Sequence, residues 1–194
     1  MVKKVYYEIK EILNPEHTAL IIWDVQKMLV ENIFNKDEFL YNINLLISKA
    51  REKNMQIFFT KITPLPSKFE SSSRKYSSSK MKFNMSQLPK EMLDLALEPQ
   101  SEDIVINKNT ASIFIGTNFE LMARNAGIET LIIAGIATEI GVESTARDAA
   151  NRGFYVVVDS DASSSSDKEA HQRSVQNMKK LFDVLSTEEI IKAV

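Results

Sequence analysis

Short apolar runs recur along this chain between stretches of helical periodicity, and that alternation restricts its fold more than any other feature. The runs are Ala19 to Trp23, Met55 to Thr60, Ile104 to Ile106, Thr130 to Ala134 and Phe154 to Val158. Each is continuous, without regular apolar–polar alternation, as expected of strands covered on both faces in a parallel sheet. Between the first two runs, Phe39, Ile43, Leu46, Ile47 and Ala50 share one face of a helix over residues of about 38 to 53. Thr117 with Glu120, Ser166 with Glu169 and Ser186 with Glu189 have the spacing of a capping box and mark three more helix starts. Gly127 and Gly153 stand between helical runs and strands, where a left-handed residue turns the chain back to the sheet. The expected fold class is α/β, a three-layer α/β/α arrangement around a central, mostly parallel sheet of five to six strands. One domain over residues 1–194 is the simplest organisation.

Residues 61–86 break this rhythm. The segment is serine-rich, holds Pro64 and Pro66, and sets Lys61, Lys68, Arg74, Lys75, Lys80 and Lys82 against one acid, Glu70. It reads either as a solvated mobile loop or as a basic lid that draws an anionic ligand over a site. The whole chain, by contrast, has a formal charge of −2. That balance gives no general reason to bind nucleic acid or a membrane, so a small molecule is the expected partner. The longest apolar runs are too short to span a bilayer and the N-terminus lacks a signal-peptide core, so a cytoplasmic protein is expected.

The chain has no cysteine and two histidines, His17 and His171. Thiol nucleophiles and thiolate metal sites are excluded, and the two histidines lack metal-ligand spacing; neither a metal nor a cofactor is expected. In such sheets ligands bind beyond the carboxyl ends of the strands. Asp24 directly follows ALIIW and Lys108 follows IVIN, so each stands at such an end. Taken alone, Asp24 fits a helix cap or turn as well as an acid, and Lys108 fits a solvated surface charge. The segment GIATEIGVESTARDA, Gly135 to Ala149, runs from a strand into a helix of small residues. Its first turn suits either an anion on the helix amides or close packing alone. Trp23 and Phe114 flank the Asp24 and Lys108 segments and are candidates to line a pocket, whereas Phe34 and Phe83 read as core. Arg147 and Asp148 read as a surface or interface pair.

Over most of residues 18 to 192 the chain resembles the isochorismatase-like, or cysteine hydrolase, family. ALIIWDVQ is similar to the family's first strand with its catalytic aspartate, INKNTASIF to the strand bearing its catalytic lysine, and GIATEIGVESTARDAANRGFYVVVDSDASSS to its nucleophile segment. The resemblance implies acid/base and lysine roles for Asp24 and Lys108. It places Gly141 where most members carry the catalytic cysteine, and implies a cis Ile136–Ala137 bond with the Ala137 and Gly141 amides aimed at the pocket. A homo-oligomer is implied too.

Without a thiol, amide hydrolysis through a covalent intermediate has no nucleophile. FFTKITPLPSKF also lacks the metal ligands that the family's nicotinamidases use. Thr138 and Ser144 would need a base for activation, and no histidine lies in the matching segments. The isochorismatases proper cleave a vinyl ether without a covalent intermediate. By that resemblance the expected function is non-covalent acid/base hydrolysis of a small, anionic metabolite by Asp24 and Lys108. The alternative is a catalytically silent binding or assembly protein. Glu139 fits either a second carboxylate at the pocket edge or a helix N-terminal charge.

Overall fold

The computed structural model describes residues 4–81, 85 and 88–194. Its centre is a six-stranded sheet of β1 (Thr18–Trp23), β2 (Gln56–Ile62), β3 (Ile104–Lys108), β4 (Thr130–Ile136), β5 (Tyr155–Ser164) and β6 (Asp183–Leu185). The strand order is β3-β2-β1-β4-β5-β6 and every pair is parallel. The helices are α1 (Ile9–Ile12), α2 (Lys27–Val30), α3 (Lys36–Glu52), α4 (Ser72–Met81), α5 (Phe119–Asn125), α6 (Glu143–Asn151), α7 (Lys168–Met178) and α8 (Thr187–Ala193). β6, which sequence reading did not locate, is three residues long on the sheet's edge, too short to show a pattern.

β1 is buried at every position because both of its faces are covered. Leu20 and Ile22 join Phe39, Ile43, Leu46 and Ile47 of α3 and Ile190 of α8 on one face. Ala19, Ile21 and Trp23 join Phe119 of α5, Ala146 of α6 and Met178 of α7 on the other. The continuous apolar runs are thus the record of a sheet between two helical layers.

Two of the three expected capping boxes are replaced by other caps. α5 starts after Asn118, with the Thr117 hydroxyl accepting from the Phe119 amide at 3.2 Å, while Glu120 pairs with Arg152 at 3.0 Å. α7 starts after Asp167, whose carboxylate accepts from the Ala170 amide at 3.0 Å. A carboxylate is the stronger acceptor for a helix N-terminal amide, so it takes the place expected of Ser166. The Ser186–Glu189 box is present: the hydroxyl accepts from the Glu189 amide at 3.2 Å and the carboxylate from the Ser186 amide at 2.8 Å. Gly127 and Gly153 take positive φ, 72° and 80°, at the turns back to the sheet.

β4 and β5 lose register between Ile133 and Gly135, and the extra residues of β5 are organised by Asp159. Its buried carboxylate accepts from the amides of Asp161 (3.0 Å) and Ala162 (2.9 Å) and from the Thr187 hydroxyl at the start of α8. Burial pushes this carboxyl up from the usual 3.8 to about 6, against the pull of those donors. The folded state therefore binds the proton more tightly than the unfolded chain does. The stability this supplies is complete below about pH 3.8 and is lost as pH rises through about 6. Urea denaturation should show a decline of about 3 kcal/mol over that window, absent from Asp159→Asn. Parallel pH profiles for the two proteins would refute it.

No helix among the described residues is long and apolar enough to cross a membrane. Within 61–86, α4 and the short turn Ser67–Phe69 are mostly exposed.

Candidate functional site

The chain runs outward from β1 through β2 to β3 and then returns to lay β4 on the other side of β1. This reversal makes the carboxyl ends of β1 and β4 a topological switch point, the place where open α/β sheets bind ligands. Asp24 closes β1 on one side of it; the turn after β4 stands on the other.

Asp24 adopts φ 45°, a left-handed conformation that costs a non-glycine residue about 1 kcal/mol or more. The strain is held in place by hydrogen bonds. The Asp24 amide donates to the Thr60 hydroxyl at 3.0 Å, and that hydroxyl donates to Asp24 Oδ1 at 2.6 Å. Lys108 Nζ donates to Oδ2 at 2.5 Å and to the Thr110 carbonyl at 3.1 Å. Gln26, fully buried, accepts from the Ile62 amide and donates to the Ile62 and Leu93 carbonyls, which ties the loop after Asp24 to the end of β2. Thr60 and Gln26 were not singled out from the sequence. Their signal was there, a polar side chain at the end of a buried strand and another just beyond one.

The side chains of Lys108 and Asp24 are 0% and 5% exposed, so the pair is neither a surface charge nor a helix cap. Burial holds the Asp24 carboxyl above the ordinary carboxylate range, opposed by the Lys108 ammonium and by the Thr60 hydroxyl. Burial likewise pushes Lys108 down, with Asp24 opposing and Arg74 adding to the depression. Both directions work against the charged forms of the pair, and a raised carboxyl lies closer to the protonated form that a general acid requires. Arg74 belongs to the basic insertion, whose charge thus reaches the pair.

After β4, the Ile136–Ala137 bond is cis. Residues Thr138–Val142 form a π-helical turn, and the amides of Ile140, Gly141 and Val142 all donate to the Ala137 carbonyl, at 3.2, 3.0 and 3.3 Å. The Gly141 amide is therefore engaged within the turn, which departs from the expectation of an amide open to a ligand. Trp23 is buried against this turn. Phe114 does not join it: its ring packs on Phe119 (5.2 Å) and on Phe154 (5.8 Å), the latter just before the amino end of β5 and so away from the carboxyl ends. Phe83 lies outside the described residues, while Phe34 is 38% exposed rather than core and meets the His171 ring edge-on at 5.4 Å.

His171 comes from α7 to the same end of the sheet, its Nδ1 2.8 Å from the Thr138 hydroxyl, which also donates to the Ser164 carbonyl at 3.1 Å. Burial lowers the His171 pKa, with Glu139 opposing. Glu139 Oε1 accepts from Ser165 at 2.8 Å and its Oε2 is buried without a partner. Arg147 and Asp148 do not pair with each other. Neighbours on a helix face apart, so Arg147 bonds Glu143 at 2.7 Å and Asp148 meets Arg152 at 3.4 Å. Among the described residues no three His, Asp or Glu side chains converge as a metal site requires.

Comparison with known proteins matches residues 18–189 to the isochorismatase domain family. Among curated relatives, the uncharacterised isochorismatase family protein YecD of Escherichia coli O157:H7 is 31% identical over 188 residues, covering 94% of this chain and 98% of the relative. The ureidoacrylate amidohydrolase RutB of Acinetobacter baylyi is 28% identical, covering 90% and 82%. Among solved structures, a cysteine hydrolase from Pseudomonas syringae pv. phaseolicola superposes with a TM-score of 0.82 at 22% identity, covering 93% of each chain. An isochorismatase family protein from Burkholderia thailandensis gives 0.77 at 26%, covering 92% and 95%.

Proposed function

Because the chain belongs to the isochorismatase family, we propose that it is a hydrolase that cleaves a non-amide bond of vinyl-ether type in a small anionic metabolite, without a covalent intermediate. The observation that carries this reading is the buried Asp24 carboxyl, held above the ordinary carboxylate range with Lys108 at 2.5 Å. Relatives named as an amidohydrolase and a cysteine hydrolase support hydrolysis as the reaction type. A thiol cannot take part here, since the chain has no cysteine. In this reading Gly141 stands at the position of the family's thiol.

The reaction uses the residues as follows. In the complex with its anionic substrate Asp24 takes up a proton, which it gives to the terminal methylene carbon of the enol ether, and the resulting carboxylate is stabilised by Lys108 and Thr60. The oxocarbenium ion adds water, whose proton returns to Asp24. The hemiketal then breaks its C–O bond to release an alcohol and a keto acid, so that one water is consumed and the acid is regenerated. Arg74 and the other basic residues of 61–86 draw the anionic substrate in.

Incubation with isochorismate and with simple amides, for the wild type and Asp24→Asn, tests this. Turnover of the vinyl ether should fall by about 10²-fold or more in the variant, the usual contribution of a positioned acid. Hydrolysis of amides that Asp24→Asn leaves unaffected would sink the mechanism. Retention of the ligand without turnover would point to a binding protein instead.

A further inference from the structure

Trp23, the last residue of β1, lies between Lys108 and the turn that holds Gly141, and the acid/base reading gives it no task. Its side chain is buried, at 2% exposure. On one edge of the indole stands Gly141. A Cβ built on that glycine would fall 1.6 Å from Trp23 Nε1, 2.1 Å from Cε2 and 2.6 Å from Cδ1. The indole thus occupies the room that any side chain at 141 would take. Over the ring stands the ammonium of Lys108, with Nζ 3.8 Å from the ring centroid. A desolvated aromatic face at this distance attracts a cation through the negative potential of its π cloud.

We propose that Trp23 is a positioning residue of this site: seated in the room that glycine leaves at 141, its indole holds the Lys108 ammonium on the Asp24 carboxylate, so that residues 23 and 141 form one coupled position. Two consequences are separable from simple packing. First, the tolerance of residue 141 for a side chain depends on residue 23. Second, the ionisation of Lys108 depends on the ring at 23. The charged groups bearing on Lys108 are Asp24 from the end of β1 and Arg74 from α4, and substitution of Trp23 leaves both in place.

A stability cycle with Gly141→Ala, Trp23→Leu and the double variant reads the first consequence. Overpacking by one methyl should lower the thermal midpoint by about 4–10 °C in the wild-type background. In the Trp23→Leu background the same methyl should cost less than half of that, because the indole edge it would strike is gone. The second consequence is read by NMR titration of the labelled lysine side chains in Trp23→Leu, Trp23→Met and Trp23→Phe. Loss of the ring face should lower the pH at which Lys108 gives up its proton by about one unit in the leucine and methionine variants. Phenylalanine should stay close to wild type. Either variant without the ring suffices if the other does not fold. Equal costs of Gly141→Ala in both backgrounds, or a Lys108 titration unmoved by leucine or methionine, overturn the proposal. Neither readout involves turnover, so it stands or falls separately from the hydrolytic reading of the same pair.

Discussion

Replacing Lys108 by methionine is expected to destabilise the protein by about 3–5 kcal/mol at neutral pH, because it leaves the Asp24 carboxylate buried without its countercharge. Methionine is close to lysine in length and apolar, so packing in the buried slot is largely preserved and the loss reports the charge. The effect has a pH dependence of defined sign. Burial already raises the Asp24 carboxyl, and removal of the opposing ammonium raises it further. The variant is therefore most stable at low pH, where the carboxyl is neutral, and loses stability as pH rises toward that raised value. Urea denaturation at pH 4 and pH 8 should show a gap from wild type that is small at the first and large at the second. Asp24→Asn combined with Lys108→Met should recover part of the loss, since no charge remains to be buried. A loss below about 1 kcal/mol, or one independent of pH, would mean that the pair is solvated and not the buried unit described above.

Gly135→Ala is expected to be at least as damaging, with a loss of about 3–5 kcal/mol or failure to accumulate as folded protein. Gly135 pairs with Trp23 across the β1–β4 ladder and has φ 130°, a conformation that an L side chain rarely adopts. A Cβ there would also lie 2.1 Å from the Trp23 carbonyl oxygen, 2.7 Å from its nitrogen and 2.8 Å from its carbonyl carbon. These are atoms of the neighbouring strand's backbone, which cannot swing aside as a side chain does. Gly153→Ala is the matched control: it too has positive φ, 80°, but nothing lies within 4 Å of its Cβ position. It should cost about 1 kcal/mol, from conformation alone. Similar thermal midpoints for the two variants would contradict the close approach of β1 and β4 at their carboxyl ends.

Both predictions concern positions whose importance was only half visible along the chain. Asp24 and Lys108 stood out as polar residues after buried strands, but each also fitted a bland role. Burial at 5% and 0% exposure, and a contact of 2.5 Å between residues 84 apart in sequence, removed those alternatives. Trp23 was legible as a neighbour of Asp24 and not as the residue that fills the space over Gly141. His171 was noted only for its lack of metal-ligand spacing, and Thr138 was set aside for want of a histidine nearby, because α7 lies far in sequence from the hydroxyl that His171 meets. Phe114 drew attention only through proximity along the chain to Lys108, and its ring turned to the core around Phe119 and Phe154 instead.

The sequence by itself determined the layers: five of six strands, the long helix α3, the glycine turns and the cap at Ser186. These follow from interactions within a few residues or from the demand that a strand covered on both faces be apolar throughout, and such demands are written locally. Only the tertiary structure decided which polar ends meet. Strand order brings Thr60 and Lys108 to Asp24, and the β1–β4 register sets Trp23 against Gly135 with Gly141 just beyond. Those encounters depend on through-space distances that no local pattern encodes. The same is true of the upward pull on the Asp24 carboxyl, which is governed by how completely the fold excludes water from it.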